Sequence, residues 1–256
     1  MAGVPVSRLL VEYEGTEFSG WARQPGRRTV QAELERALCV VLRRDTVLLT
    51  VAGRTDAGVH AWGQVASYEG HPVRPDALNA LLPFDIAVLD CGVAAVGFDA
   101  RRDATSRAYC YRVLTRRTRS AHERRRALHW AYPLELAQLR RCASALVGTH
   151  DFTAFTPTET HHVRFSRDVF AAAWRQPTVD LLEFWIEADS FMHHMNRVLV
   201  GTMLEVGVGR RSLAQFTELL EGRPRSQAGA TAPPQGLHLA AAGYGGQSLI
   251  PENPVS

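Results

Sequence analysis

The chain alternates between segments with strand periodicity and segments with helix periodicity. Arg8–Tyr13 reads as a strand. The period then lengthens: Val30, Leu34, Ala37, Leu38, Val41 and Leu42 fall on one face of a helix that Thr29 is placed to cap. The run Val47-Leu48-Leu49-Thr50-Val51-Ala52 is apolar and β-branched enough for a buried strand, and a glycine-bounded loop leaves it. A strand near Gln64–Tyr68, a short helix from Pro75 to Leu82 and a strand from Ile86 to Val96 complete a first half of β-α-β type.

The second half opens with a strand over Arg107–Leu114, an arginine-rich loop, and a helix carrying Leu136, Leu139, Ala143, Leu146 and Val147. Val169–Arg175 and Leu181–Ala188 pair as a hairpin turning at Gln176-Pro177-Thr178-Val179-Asp180. A helix follows with Met192, Met195, Leu199, Thr202, Met203 and Val206 inward. Ser212-Leu213-Ala214-Gln215 is a capping-box start for one more helix, and Leu237–Ala242 closes as a strand. Elements in this order, without long crossovers throughout, predict an α+β fold with a mostly antiparallel sheet. The expected divisions are an N-terminal α+β half at 1–105, a C-terminal half at 106–244 and a mobile tail at 245–256, with a Pro- and Gly-rich loop over Gly222–Gln235.

Length and composition narrow the class. The chain has 256 residues, 46% hydrophobic and 21% charged, as in a soluble globular protein. Met1 to Tyr13 has neither the basic start nor the apolar centre of a signal peptide, and the most apolar helix is interrupted by His193, His194, Arg197 and Glu205, so a cytoplasmic protein is expected. Cys39, Cys91, Cys110 and Cys142 are scattered, which indicates reduced thiols rather than a zinc knuckle or a disulfide framework. All 29 basic residues are arginines, which excludes a lysine Schiff base and a Walker-type phosphate loop.

A net charge of +3 does not by itself indicate a nucleic-acid partner; the distribution does more. Arg116, Arg117, Arg119, Arg124, Arg125 and Arg126 crowd into eleven residues between apolar stretches. Such a run is either a solvated loop or a grip on RNA phosphates, which arginine binds bidentately. Histidine pairs at His161-His162 and His193-His194 invite a metal reading. On a helix, adjacent side chains diverge by about 100°, so no chelate and no metal site is expected.

The most informative segment is Gly53-Arg54-Thr55-Asp56-Ala57-Gly58-Val59-His60-Ala61. It presents one carboxylate and one guanidinium on a loop directly after an apolar run, with glycines that permit a tight exit and close approach of a ligand. Two residues apart on an extended segment, Arg54 and Asp56 share a side, and the guanidinium would hold the carboxylate ionised in a partly desolvated cleft. A strand-ending turn with a surface ion pair is the plain alternative.

These residues resemble the signature of the tRNA pseudouridine synthase A (TruA) family. The resemblance extends to Leu10-Val11-Glu12-Tyr13-Glu14-Gly15, Phe18-Ser19-Gly20-Trp21-Ala22-Arg23-Gln24, Phe98-Asp99-Ala100-Arg101, Arg107-Ala108-Tyr109-Cys110-Tyr111, Asp151-Phe152-Thr153-Ala154-Phe155, Phe191–Arg197 and Gly236-Leu237-His238-Leu239. Asp99, where the family often has His, and a weakened last strand depart from its pattern.

The resemblance implies two similar ferredoxin-like or RRM-like halves around a catalytic cleft, a homodimer, and conversion of uridine to pseudouridine at positions 38, 39 and 40 of the tRNA anticodon stem-loop without a cofactor. It makes Asp56 the nucleophile. Arg54, Tyr109 and Arg197 are the implied substrate-binding residues, with Tyr109 beside the target base. A stacked uridine must be extruded, at a cost of a few kcal/mol. Arg23, Arg27 and Arg28 in the loop after Trp21, with Arg124, Arg125 and Arg126, are the expected phosphate contacts. The competing readings are a non-catalytic RNA-binding protein or RNA chaperone on the same fold, and a carboxylate-dependent hydrolase, for which no second catalytic acid stands near Asp56.

Overall fold

The structure, a computed structural model, describes residues 4–160, 163–246 and 248–251. It is an α+β fold whose strand pairs are mostly antiparallel. The chain forms two compact units, Met1–Arg107 with His238–Gln247, and Ala108–Leu237 with Ser248–Ser256. Relative to the expected halves at 1–105 and 106–244, the boundary falls two residues later, the last strand leaves the second half in sequence and joins the first in space, and the expected tail at 245–256 is divided between the two units. Among the described residues no helix is long and apolar enough to cross a membrane.

In the first unit β1 (Val6–Tyr13) lies between β3 (His60–Glu69) and β4 (Ile86–Val93), antiparallel to both. The short β2 (Thr50–Val51) also pairs with β3, and the final strand β10 (Leu237–Gly243) joins β3 in parallel through His238 and Leu239. Against this sheet packs α1 (Val30–Leu42), with Val30, Leu34, Ala37 and Leu38 buried as the helical period dictates. Val65, Ala52 and Ala100 form a second cluster with Leu10, Phe98 and Tyr244, whose hydroxyl donates to the Ala100 carbonyl at 2.7 Å. A small helix α2 (Pro75–Asn79) serves the outer edge of β4: the Asn79 amide donates to Val88 O at 2.9 Å and accepts from Val88 N at 2.8 Å. The side chain thereby satisfies backbone groups that an edge strand leaves open.

Two local expectations change here. Thr29 does not cap α1 with its side chain, and its buried hydroxyl lacks a hydrogen-bond partner. The first helical N–H groups are satisfied instead by the preceding loop, Val30 N to Gly20 O at 3.3 Å and Gln31 N to Trp21 O at 3.0 Å. The expected strand over 47–52 contracts to Thr50–Val51 because Leu49 N donates to the buried carboxylate of Glu35 on α1, at 3.2 Å, rather than to a neighbouring strand.

In the second unit β5 (Ser106–Leu114), most of which belongs here, carries the two-residue β6 (Leu128–His129) in parallel. The strand order continues from β5 through β9 (Leu181–Ala188) and β8 (Ser166–Thr178) to β7 (Gly148–Asp151). The hairpin turn is tighter than the predicted five residues, since Thr178 already pairs with Leu181. Next to this sheet lie α3 (Leu136–Ala145), α4 (Met195–Gly207) and α5 (Leu213–Glu218), the last opened by the predicted capping box of Ser212 and Gln215. Apolar residues all round α4 are buried within the chain. Gly201 lets the helix lie on the chain at Ala230, where a Cβ would stand 1.8 Å from the carbonyl oxygen. The apolar surface of this helix is therefore consumed internally and supplies no argument for a second copy of the chain.

Burial raises the thiols of Cys110, in β5, and Cys142, in α3, the latter to about 12, so both are inert protonated core groups. The C-terminal segment is anchored at Ser248 and Leu249, which donate to Glu187 of β9 at 3.4 and 2.9 Å.

Candidate active site

The motif loop runs from Gly53 to Val59 between β2 and β3, with no regular structure of its own. Its conformation is imposed by neighbours. Thr55 is buried: its hydroxyl shares a 2.7 Å hydrogen bond with Tyr13 at the end of β1, and its carbonyl accepts from Trp21 N at 3.0 Å. The Gln64 amide, fully buried in β3, donates to Gly53 O at 2.7 Å and toward the Tyr13 hydroxyl at 3.4 Å. Arg107 Nε donates to Ala52 O at 2.9 Å, while its other nitrogens reach Ala104 O and Arg101 O. The turn closes with Val59 N on Asp56 O at 3.2 Å.

Glycines make room for these contacts. A Cβ on Gly15 would stand 1.9 Å from Val59 O. Gly20, at φ +91°, lies where a Cβ would be 2.9 Å from Thr55 O. Beyond the loop, buried His60 accepts from Gly15 N through Nδ1 at 2.9 Å, and its ring stacks on that of His238, 4.7 Å between centroids. Accepting a backbone N–H requires an unprotonated Nδ1.

With Thr55 turned inward, Asp56 is half-buried and Arg54 is exposed. The loop carrying Arg23, Arg27 and Arg28 abuts the motif through the Trp21–Thr55 hydrogen bond. Two of these three arginines already have carboxylate partners. Arg23 pairs with Glu35, whose side chain is 1% exposed and also accepts from Gln31 and Leu49 N. Arg28 forks onto Asp85 with both contacts at 2.8 Å and covers the Phe18 ring at 4.0 Å, so its charged form is further stabilised. Arg27 is exposed. Nothing in spacing distinguishes the three, because their partners come from distant parts of the chain.

The second unit holds the other expected residues. Tyr109 is buried on β5, its ring edge-on to Phe191 at 5.0 Å. Tyr111, fully buried two residues on, donates to Pro233 O at 2.8 Å; burial pushes its pKa up, disfavouring ionisation, while the charge of Arg197 acts in the opposite direction. Arg197 Nε donates to Ala232 O at 2.7 Å, so Arg197 and Tyr111 are fastened to consecutive carbonyls. Arg124, Arg125 and Arg126 are exposed in a series of turns. Glu123 beside them binds Arg112 of β5 at 2.7 and 3.3 Å, and Arg112 Nε lies 3.4 Å from Glu183, so the base of this loop is braced.

The angular argument about His193 and His194 does not apply. They lie in the turn that precedes α4 instead of riding on it, with His194 at φ +60°, and their rings stack at 3.7 Å. His161 and His162 lie outside the described residues.

Sequence reasoning missed the roles of Gln64, Thr55 and Tyr13 in holding the loop. A signal was present in Gln64, a side-chain amide inside a buried strand, which must find partners there.

The chain is similar to known proteins over most of its length. The family model described as tRNA pseudouridine synthase matches residues 9–83 and 142–245. A tRNA pseudouridine synthase A of Myxococcus xanthus is 42% identical over 243 residues, covering 92% of this chain and 91% of that protein. Proteins with the same description from Geobacillus sp. (strain WCH70) and Bacillus subtilis (strain 168) are 41% and 40% identical, each covering 91% of this chain and 95% and 96% of their own lengths. Among solved structures, a chain of a Cbf5-Nop10-Gar1 complex is similar with a TM-score of 0.35 and 10% identity, over 77% of this chain and 54% of that one. With most of its length matched, including the loop that Tyr13, Trp21 and Gln64 hold in place, the chain belongs to the tRNA pseudouridine synthase family.

Proposed function

We infer that the protein isomerises uridine to pseudouridine in tRNA, at positions 38, 39 and 40 of the anticodon stem-loop, with Asp56 as nucleophile. The observation that carries this reading is the placement of Asp56 in an intact family motif, half-buried and directly following a residue clamped through both its hydroxyl and its carbonyl. The reaction breaks the bond from ribose C1′ to N1 of uracil and forms one from C1′ to C5. The C5 proton is lost and N1 gains one, so there is no redox change and no cofactor is required. Attack on the base and assistance to its departure from the sugar both need an ionised carboxylate, which is the part assigned to Asp56, while Arg54, exposed two residues before it, is assigned to substrate binding.

Tyr109 is the residue beside the target base, with an aromatic face to pack against it and a hydroxyl to take part in removing the C5 proton. Arg197 is assigned to substrate phosphate or to Asp56. Arg27 and the arginines at 124–126 are assigned to the tRNA backbone; Arg23 and Arg28 join them only in so far as their carboxylate partners allow. Two ferredoxin-like halves bounding the cleft, a homodimer and a cytoplasmic location belong to the same reading and rest on the family resemblance. A strictly monomeric mass by light scattering at micromolar concentration contradicts the dimer.

The direct test is incubation with an unmodified tRNA transcript, without ATP or added metal, followed by chemical mapping of pseudouridine. Modification confined to positions 38 to 40 is expected. Modification elsewhere overturns the assigned positions, and none at all in a folded, tRNA-binding protein favours the RNA-binding alternative.

A further inference from the structure

We propose that Tyr13 is a positioning residue for the isomerisation, acting on Asp56 through the hydroxyl of Thr55; the inference rests on the reading of Asp56 as nucleophile. The backbone ladder ends where Ala52 N donates to Val65 O at 2.9 Å, and none runs from Gly53 to Val59, so the loop's own secondary structure cannot fix the carboxylate. What fixes it is a buried polar chain. Gln64 spends its two amide hydrogens on Gly53 O at 2.7 Å and on the Tyr13 oxygen at 3.4 Å, and Tyr13 in turn shares a 2.7 Å hydrogen bond with Thr55.

All three side chains are shielded, at 4% exposure for Tyr13, 7% for Thr55 and 0% for Gln64, so solvent offers no ready substitute for a lost partner. Tyr13 is itself braced on several sides. It pairs with Ala61 on one side and Ile86 on the other, and its ring leans on Trp21 at 5.9 Å, the residue whose N–H holds the Thr55 carbonyl. The residue before the nucleophile is thus held by β1 through its side chain and by the arginine-bearing loop through its backbone. Removing the phenol oxygen frees the first of these two attachments and leaves the second.

The test compares Tyr13→Phe, Thr55→Val, Thr55→Ser and the Tyr13→Phe/Thr55→Val double variant as full-length proteins. Single-turnover rate and tRNA affinity are measured below each variant's melting temperature. Loss of placement should lower the rate about 10- to 100-fold in Tyr13→Phe and Thr55→Val while affinity changes by less than about twofold. The double variant should be no slower than the slower single one, since both remove one shared contact. Thr55→Ser, which restores the hydroxyl, should retain most of the rate.

A wild-type rate in Tyr13→Phe, additive losses in the double variant, or a loss confined to affinity overturns the proposal. Should Tyr13→Phe not fold, the contrast between Thr55→Ser and Thr55→Val decides it alone, equal rates being the adverse result. Asp56→Asn is run alongside: if it turns over, the nucleophile reading and this inference both fall. If it is inactive while Tyr13→Phe is unimpaired, only the positioning role falls.

Discussion

Arg28 grips Asp85 with two parallel hydrogen bonds of 2.8 Å, joining the loop before α1 to the start of β4 across 57 residues of sequence. Bidentate geometry on a partly buried carboxylate, with the guanidinium also over Phe18, makes this a brace of the fold. Arg28→Ala should therefore cost about 1 to 2 kcal/mol and lower the melting temperature by several degrees. Arg27→Ala, at an exposed position, should leave the melting temperature unchanged and weaken tRNA binding. Calorimetry on the two variants separates these roles, and equal melting temperatures would show that the pair contributes nothing.

Asp56→Asn keeps the size of the side chain and the backbone contact of Asp56 O with Val59 N, and replaces one carboxylate oxygen by an amide. Turnover should vanish while tRNA affinity is nearly unchanged, and activity within about tenfold of wild type would sink the nucleophile assignment.

Six positive charges lie between Arg116 and Arg126 in a protein of net charge +3. Changing Arg124, Arg125 and Arg126 together to Ala should raise the apparent Michaelis constant for tRNA, with little effect on the rate at saturation. Each lost phosphate contact should flatten the slope of log affinity against log salt by somewhat under about one unit. The fold should survive, because Glu123 and its hold on Arg112 are untouched. Unchanged affinity and salt slope would mark the run as a solvated loop.

Gly15 lies where an added Cβ would meet Val59 O at 1.9 Å, and the obstacle is backbone that cannot swing aside. Gly15→Ala should destabilise the protein by about 3 kcal/mol or more through forced separation of β1 from the motif loop. A denaturant titration within error of wild type would refute the crowding.

Burial pushes the Tyr13 hydroxyl from 10.0 up to about 12. The unfolded chain then releases this proton at a lower pH than the folded one, so stability falls as pH rises from about 10 to about 12, by roughly 1.4 kcal/mol per unit. Tyr68, Tyr111 and Tyr244 are raised as well and share in the alkaline loss. The difference between wild type and Tyr13→Phe isolates the one group: their gap in unfolding free energy should narrow across that interval. A constant gap contradicts a protonated Tyr13 at the Thr55 contact.

Local physics was enough for much of this protein. The period-two and helical patterns located β1, α1, β9 and α4, and the capping box of Ser212 and Gln215 needs only four residues in sequence. The motif from Gly53 to Ala61 likewise carried the family resemblance as a string, and the family match bears that resemblance out. Tertiary structure decided what depends on partners far along the chain. Thr29 loses its capping role because carbonyls of Gly20 and Trp21 arrive first, and β10 joins β3 although more than a hundred residues separate them. Arg23 and Arg28 look like Arg27 until Glu35 and Asp85 are placed beside them. Sequence periodicity reports which face of an element avoids water. It does not report which buried hydroxyl, amide or carboxylate will meet another there, and Tyr13, Thr55 and Gln64 hold the Asp56 loop through such meetings.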